Sequence, residues 1–224
     1  MNLIVKGLTG AALLAAVAYG PPARRWYLTS GATPAEVAAA MPGDELLAGA
    51  ELVSTRAVTI DAPPEAVWPW LVQMGSHRGG AYTYDWIENL FGLDMHSADR
   101  ILPQFQQLAV GDVLPLGAGG PGMRVEVCDQ PRTLAFRSAD GSWVWIFGLS
   151  ADRGGTRLVS RNRIALPPRS PVRRLVSRMV LEPGSLIMER RMLTGIRDRA
   201  ESRAEGPAGD VRRPLSAVIS APLD

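Results

Sequence analysis

The chain has 224 residues, of which 46% are hydrophobic, enough to bury a sizeable core, so disorder throughout is excluded. Its 24 basic and 22 acidic residues leave a net charge of +2, too weak a field to hold phosphates, so no nucleic-acid partner is expected. Cys128 is the single cysteine, which excludes an internal disulfide and a Cys-based zinc cluster.

Residues 1–22 form a hydrophobic N-terminal segment. The run over 7–19, GLTGAALLAAVAY, with Leu3, Ile4 and Val5 before it, gives roughly 17 apolar residues, the lower edge of a membrane span. The favoured reading is an uncleaved anchor, with Arg24 and Arg25 keeping the domain cytoplasmic. The alternatives are a cleaved signal ending at Ala16-Val17-Ala18, which would export the domain, and a short helix lying on the domain or membrane surface. Residues 23–50 read as a tether with one short helix. Thr33 is its N-cap, Pro34 its first residue and Glu36 its first-turn acid. It is expected to reach Met41, where Pro42-Gly43 ends it, and to pack on the domain that follows.

The domain itself covers residues 51–204. Residues 52–60 alternate as a strand, with Arg56, Val58 and Ile60 on one face. An arginine there sits at a cavity mouth, meets an acidic partner, or belongs to a frayed strand start. Asp61 and Pro63-Pro64 start a helix in which Trp68, Leu71 and Val72 face a core and Pro69 is expected to introduce a bend. Gly75 and Gly79-Gly80 bracket a tight connection carrying Ser76, His77 and Arg78. A second helix over 84–91 is expected to bury Trp86 and Leu90, with Asp85 and Glu88 at capping-box spacing.

From Gly111 onward the pattern is strands. The glycine loop over 117–122 lacks the Lys-Ser/Thr ending of a phosphate-binding loop and receives no nucleotide role. Met123, Val125 and Val127 alternate with Arg124, Glu126 and Cys128. Leu134 and Phe136 point inward from 133–138. After the Asp140-Gly141 hairpin turn, Trp143, Trp145 and Phe147 share one face of 142–149. In 156–165, Leu158, Ser160, Asn162 and Ile164 oppose Arg157, Val159, Arg161 and Arg163. The three arginines are expected to face water, which turns Ser160 and Asn162 inward, where they need partners. Val172, Leu175, Val176, Met179 and Val180 fit an amphipathic helix, which Pro183-Gly184 should interrupt. A second helix over 185–204 carries Leu186, Leu193, Ile196 and Ala200 along one stripe, and residues 205–224 read as a loose tail.

The runs STRAVTIDAPPEAVWPWLVQMG, RGGAYTYDWIENLFG, VGDVLPLG, TRLVSRNR and MERRMLTGIRDRAE resemble the SRPBCC superfamily, and within it the bacterial polyketide cyclase/dehydrase and lipid transport group, over about residues 52–202. The resemblance implies an α+β helix-grip fold, a curved antiparallel sheet wrapped around a long C-terminal helix and enclosing an apolar cavity. It implies members that bind lipids, sterols, aromatic polyketides or plant hormones, some of which cyclise or hydrolyse them.

The expected function is binding of a hydrophobic or aromatic small molecule or lipid, for transport or sequestration. An apolar concavity with a few polar anchors would serve it. The candidate contacts are Arg56, Trp70, His77, Arg78, Tyr82, Tyr84, Trp86, Trp143, Trp145, Phe147, Ser160 and Asn162. The alternative is a cyclase or dehydratase using His77, Tyr82, Tyr84 or Asp85 in acid–base steps. A third reading is a partner-binding module using the arginine-lined sheet face. His77 and His96 stand 19 residues apart in no compact ligand motif, so no metal and no cofactor is expected. Ser76 lacks the G-x-S-x-G setting of a nucleophile.

Overall fold

The computed structural model describes residues 20–117, 122–165 and 177–205. Residues 1–19, the centre of the glycine loop, residues 166–176 with Val172, Leu175 and Val176, and the tail from 206 lie outside the described residues. Among the described residues no helix is long and apolar enough to cross a membrane.

Strands β1 (Leu52–Ile60), β2 (Val113–Leu114), β3 (Met123–Asp129), β4 (Thr133–Ser138), β5 (Trp143–Asp152) and β6 (Gly155–Ile164) form one sheet in the order β1-β6-β5-β4-β3-β2. Every neighbouring pair is antiparallel. Period-two alternation gives this sheet two unlike faces. Ile60, Leu158, Phe147, Leu134, Phe136, Met123 and Val125 belong to the core on one face. Helix α3 (Pro64–Val72) and the long C-terminal helix α5 (Glu182–Glu205) complete that core, through Trp68, Trp70, Leu71, Met192, Leu193 and Ile196. This is the helix-grip fold that the resemblance implied.

Pro69 lies inside α3 without ending it. A π-helical turn, Ser177–Leu181, leads into α5, which runs through Pro183 and Gly184 rather than stopping there. Pro183 falls in the first turn of α5, where proline is tolerated, so the expected break is absent. Gly195 lets the backbone of Tyr82 lie against α5: a Cβ at 195 would stand 2.5 Å from the Tyr82 carbonyl oxygen.

The opposite face corrects the expectation that its arginines meet water. Helix α1 (Pro21–Thr29) packs on β1 and α5, and the chain then crosses the outer face of the sheet. Helix α2 (Pro34–Ala38) has the predicted cap, with Glu36 N donating to Thr33 Oγ1 and Thr33 N donating to Glu36 Oε2. It ends three residues short of Met41, which instead packs with Leu46 and Leu47 on Ala135, Val144 and Ile146. Arg161 is only 3% exposed. It donates to Thr55 Oγ1, to the carbonyls of Glu36 and Ala39, and to Asp44 Oδ2 at 2.6 Å. Arg157 grips the Glu36 carboxylate and the Gly31 carbonyl, and Arg163 the carbonyls of Leu47 and Ala48. The face proposed for an outside partner is therefore occupied by residues 31–48 of the same chain.

Candidate functional site

Arg56 and Ser160 are register partners on β1 and β6, as are Ser54 and Asn162, so all four belong to the same stretch of the inner face. Glu189 meets them from α5. The Arg56 guanidinium donates to Glu189 Oε2, to the Tyr27 carbonyl at 3.0 Å and to Ser185 Oγ at 3.0 Å. Glu189 Oε1 accepts from Ser160 Oγ at 2.6 Å and from Asn162 Nδ2 at 3.1 Å. Arg56, Ser160 and Glu189 are all buried. Burial pushes the Glu189 carboxyl up, and the Arg56 charge pulls the other way.

The network also fixes the aromatic strand. Trp145 Nε1 donates to Ser160 Oγ at 2.9 Å and Trp143 Nε1 to Asn162 Oδ1 at 2.8 Å. The two indoles stack at 5.6 Å with planes 21° apart, and Phe147 lies 4.8 Å from the Trp145 ring. Each polar group here has a partner, as a buried network requires. Arg56, Trp143, Trp145, Phe147, Ser160 and Asn162 are thus brought together. Of the three readings of Arg56, the acidic partner is the one the structure gives.

Trp145 links this network to an apolar pocket. Met74, Gly75, Ala81, Met95, Leu114, Leu116, Met123 and Phe136 complete its wall. Its volume is about 30 Å³, room for about two water molecules, far below the cavity that the resemblance implied. The tryptophans, phenylalanines and methionines fill the rest of the inner face.

The remaining candidates lie elsewhere. Tyr82 is buried with its hydroxyl donating to the Trp70 carbonyl at 2.9 Å, and burial drives its phenol upward. Trp70 stands edge-on to Tyr82 at 5.9 Å and lines a separate, open, polar cleft of about 590 Å³ with Asp99, Arg100, Arg199 and Arg203. Arg78 donates to the carbonyls of Met74 and Val72 and lies over the Phe105 ring at 4.3 Å. His77 is exposed, its Nδ1 3.3 Å from Asp94 Oδ2, and His96 Nε2 is 3.0 Å from Asp94 Oδ1. Among the described residues no group of three His, Cys, Asp or Glu is arranged to hold a metal ion.

Helix α4 (Asp85–Leu90) departs most from expectation. Trp86 and Leu90 are 70% and 76% exposed rather than buried, and Glu88 faces inward. Tyr84, not Asp85, is the N-cap residue, and no side chain caps the helix. Asp85 instead accepts from Ser97 N and Ser97 Oγ, at 2.8 and 2.6 Å. Tyr84 is half out of the fold, its ring 5.8 Å from the Arg191 guanidinium.

Sequence reasoning missed Glu189 and most of the pocket wall. Glu189 had a signal: it lies three residues after Leu186 and four before Leu193, on the apolar stripe of its helix, directly across from an inward arginine. Met74 and Met95 lie in connecting segments where no periodicity marks an inward face.

No family model matches the chain, and no curated protein matches it. Solved structures with a similar course of the chain include a Mesorhizobium loti protein at 17% identity, covering 67% of this chain and 98% of that one with a TM-score of 0.40. The KanY protein is 16% identical over 69% of this chain and 98% of its own, with a TM-score of 0.41. A Polyketide_cyc-like protein from Corynebacterium glutamicum is 15% identical over 70% and 96%, with a TM-score of 0.37.

Proposed function

We propose that this chain binds a small apolar or aromatic molecule in the pocket beside Trp145. The observation that carries the reading is the pocket wall, which contains no ionisable side chain and takes Met74, Met95 and Met123 from three separate segments. Methionine has three rotatable bonds and a polarisable sulfur, so such a wall enlarges by rotamer changes at low cost. Trp145 is the rigid side of the same pocket, because Ser160 and Glu189 hold its indole. A volume of about 30 Å³ means that a guest enters by displacing these methionines, which favours compact molecules over sterols. Residues 3–19 would keep the domain beside a membrane in the same reading.

A cyclase or dehydratase needs its acid and base at the pocket. His77, Tyr82, Tyr84 and Asp85 all lie outside the pocket wall, and two of the four are committed to structural hydrogen bonds. Binding is therefore the better supported function.

The experiment is native mass spectrometry of the purified full chain for a copurifying ligand, joined to titration with 1-anilinonaphthalene-8-sulfonate. Wild-type protein should bind the dye and release it to an apolar competitor, and Met123→Phe, which adds about the volume of the pocket, should suppress uptake, with near-ultraviolet circular dichroism checking that the fold is retained. Absence of both ligand and dye uptake overturns the reading.

A further inference from the structure

We infer that the surface formed by Trp86, Leu90 and Phe91, on α4 and at its end, and by Val180, Leu181 and Ile187, on the π-helical turn and the start of α5, docks on an anionic lipid bilayer. Each stretch buries acidic side chains and exposes large apolar ones. Helix α4 buries Glu88 while Phe91, just past its end, is 74% exposed beside the exposed Trp86 and Leu90. The head of α5 buries Glu182 and Glu189, and shows Val180, Leu181 and Ile187 to solvent. The inversion has a cause at α5. Glu182 is held by a bidentate Arg24, at 2.8 and 2.9 Å, and Glu189 by Arg56, so the acids turn inward and the apolar residues outward. A monomeric soluble domain seldom leaves this many large apolar side chains uncovered.

The approach between the two stretches is that of the Arg191 guanidinium, one helical turn beyond Ile187, to the ring of Tyr84 at the start of α4, 5.8 Å apart. Around them the exposed charges of the α5 head are all cationic, Arg178, Arg190 and Arg191, because its two acids are buried. Asp85 on α4 is spent on Ser97. An apolar surface with arginine along its α5 side matches acyl chains beneath anionic headgroups, the half-exposed acid beyond α4, Asp94, being shared by His77 and His96. A second copy fits less well, since a two-fold contact would set one arginine rim against the other.

The test uses the full chain with vesicles of phosphatidylglycerol and phosphatidylcholine carrying brominated acyl chains. Tryptophan emission of the wild type should be quenched, and in Trp86→Phe the quenching should fall to the share of Trp26, the other strongly exposed tryptophan. Arg178→Gln and Arg190→Gln should each weaken partitioning by about fivefold at low salt, with little effect on phosphatidylcholine vesicles. Three results overturn the inference. One is equal quenching in wild type and Trp86→Phe, as expected if residues 3–19 alone hold the membrane. Another is no vesicle binding at all. The third is a dimer in light scattering that Leu90→Ser dissociates, with Trp86 dry of lipid. Trp86 and Leu90 are exposed, so neither variant removes core packing, and near-ultraviolet circular dichroism checks that the fold is retained.

Discussion

Glu189 on the last helix answers Arg56 on the first strand, and the pair closes the grip between α5 and the sheet. A buried ion pair is not stabilising merely by existing, since both charges lose water to form it. Here the remaining valences are taken by Ser160, Asn162, Ser185 and the Tyr27 carbonyl. The pair therefore acts chiefly as a register mark: it fixes the rotation of α5 over β1 and, through Ser160, the tilt of Trp145.

Removing one partner should cost far more than replacing both. Glu189→Ala leaves Arg56 charged and buried, and a loss of about 3–5 kcal/mol is expected, lowering Tm by about 10 °C for a domain of this size. The double variant Arg56→Met/Glu189→Leu should recover most of that loss. Urea denaturation of the wild type, Glu189→Ala and the double variant checks it. Equal losses for the single and double variants would sink the register-mark account.

Ser160→Ala isolates the link to the pocket. It frees the Trp145 indole N–H and removes one of the Glu189 hydrogen bonds, for an expected destabilisation of about 1–2 kcal/mol. Trp145 then loses its fixed orientation, so near-ultraviolet dichroism should change and dye uptake at the pocket should weaken. Stability that falls without any change in the tryptophan signal would separate the network from the pocket.

Arg161 should prove as important as a core residue. Its five nitrogen-bound hydrogens serve β1, α2 and Asp44 at once, and Lys cannot reproduce that fork. Arg161→Lys is expected to cost about 2 kcal/mol or more and to open residues 31–48 to limited proteolysis. An unchanged cleavage pattern would contradict the clamp.

The sheet was legible because its period is two and its breaks carry Asp-Gly, Gly-Gly and Pro-Arg. Arg56, Ser160 and Asn162 were legible as inward polar groups for the same reason, and Glu189 could have been added from its place on the α5 stripe. The outer arginines were misjudged because alternation says which residues share a face, not what covers it. The cover here comes from residues 31–48, distant in sequence. Helix α4 failed for a related reason. A helix of six residues presents its apolar side to whichever neighbour the fold supplies, and here the inward side went to Glu88. Pocket volume depends on how Met74, Met95 and Met123 pack, which no residue pattern encodes.

The outer clamp should also respond to acid. The Arg157 hydrogen bond, against an opposing contribution from burial, lowers the Glu36 carboxyl from an ordinary 4.5 to about 2. A group depressed on folding adds stability that is complete above its unfolded value and is lost as pH falls through the folded one. The contribution of Glu36 is thus full above about 4.5 and fades toward 2. Hydrogen exchange of the peptide spanning 31–48, corrected for intrinsic rates, should speed up between pH 5 and pH 3. In Glu36→Gln it should already be fast at pH 5. Corrected rates independent of pH would refute the linkage.

Glu88 should show the opposite sign. Its carboxyl is buried under the exposed side of α4, and Oε2 and the neighbouring Thr83 Oγ1 both lack a hydrogen-bond partner of good geometry among the described residues. Burial raises its pKa above 4.5, with Thr83 easing and Asp85 adding to the shift. The unfolded chain then gives up this proton near 4.5 while the folded chain keeps it to higher pH. Over that window the native state holds more protons, so stability falls as pH rises. Above the window the native state carries a buried carboxylate with Oε2 left without a partner, a cost of about 1–3 kcal/mol. Glu88→Gln removes the charge and gives Thr83 Oγ1 a donor. It should therefore stabilise the protein by about 1 kcal/mol or more at pH 7.5 and by little at pH 4, where wild-type Glu88 is protonated in both states. Urea denaturation at the two pH values decides it: a gain of the same size at both, or a loss at pH 7.5, would show that Glu88 has a partner that this structure does not give it.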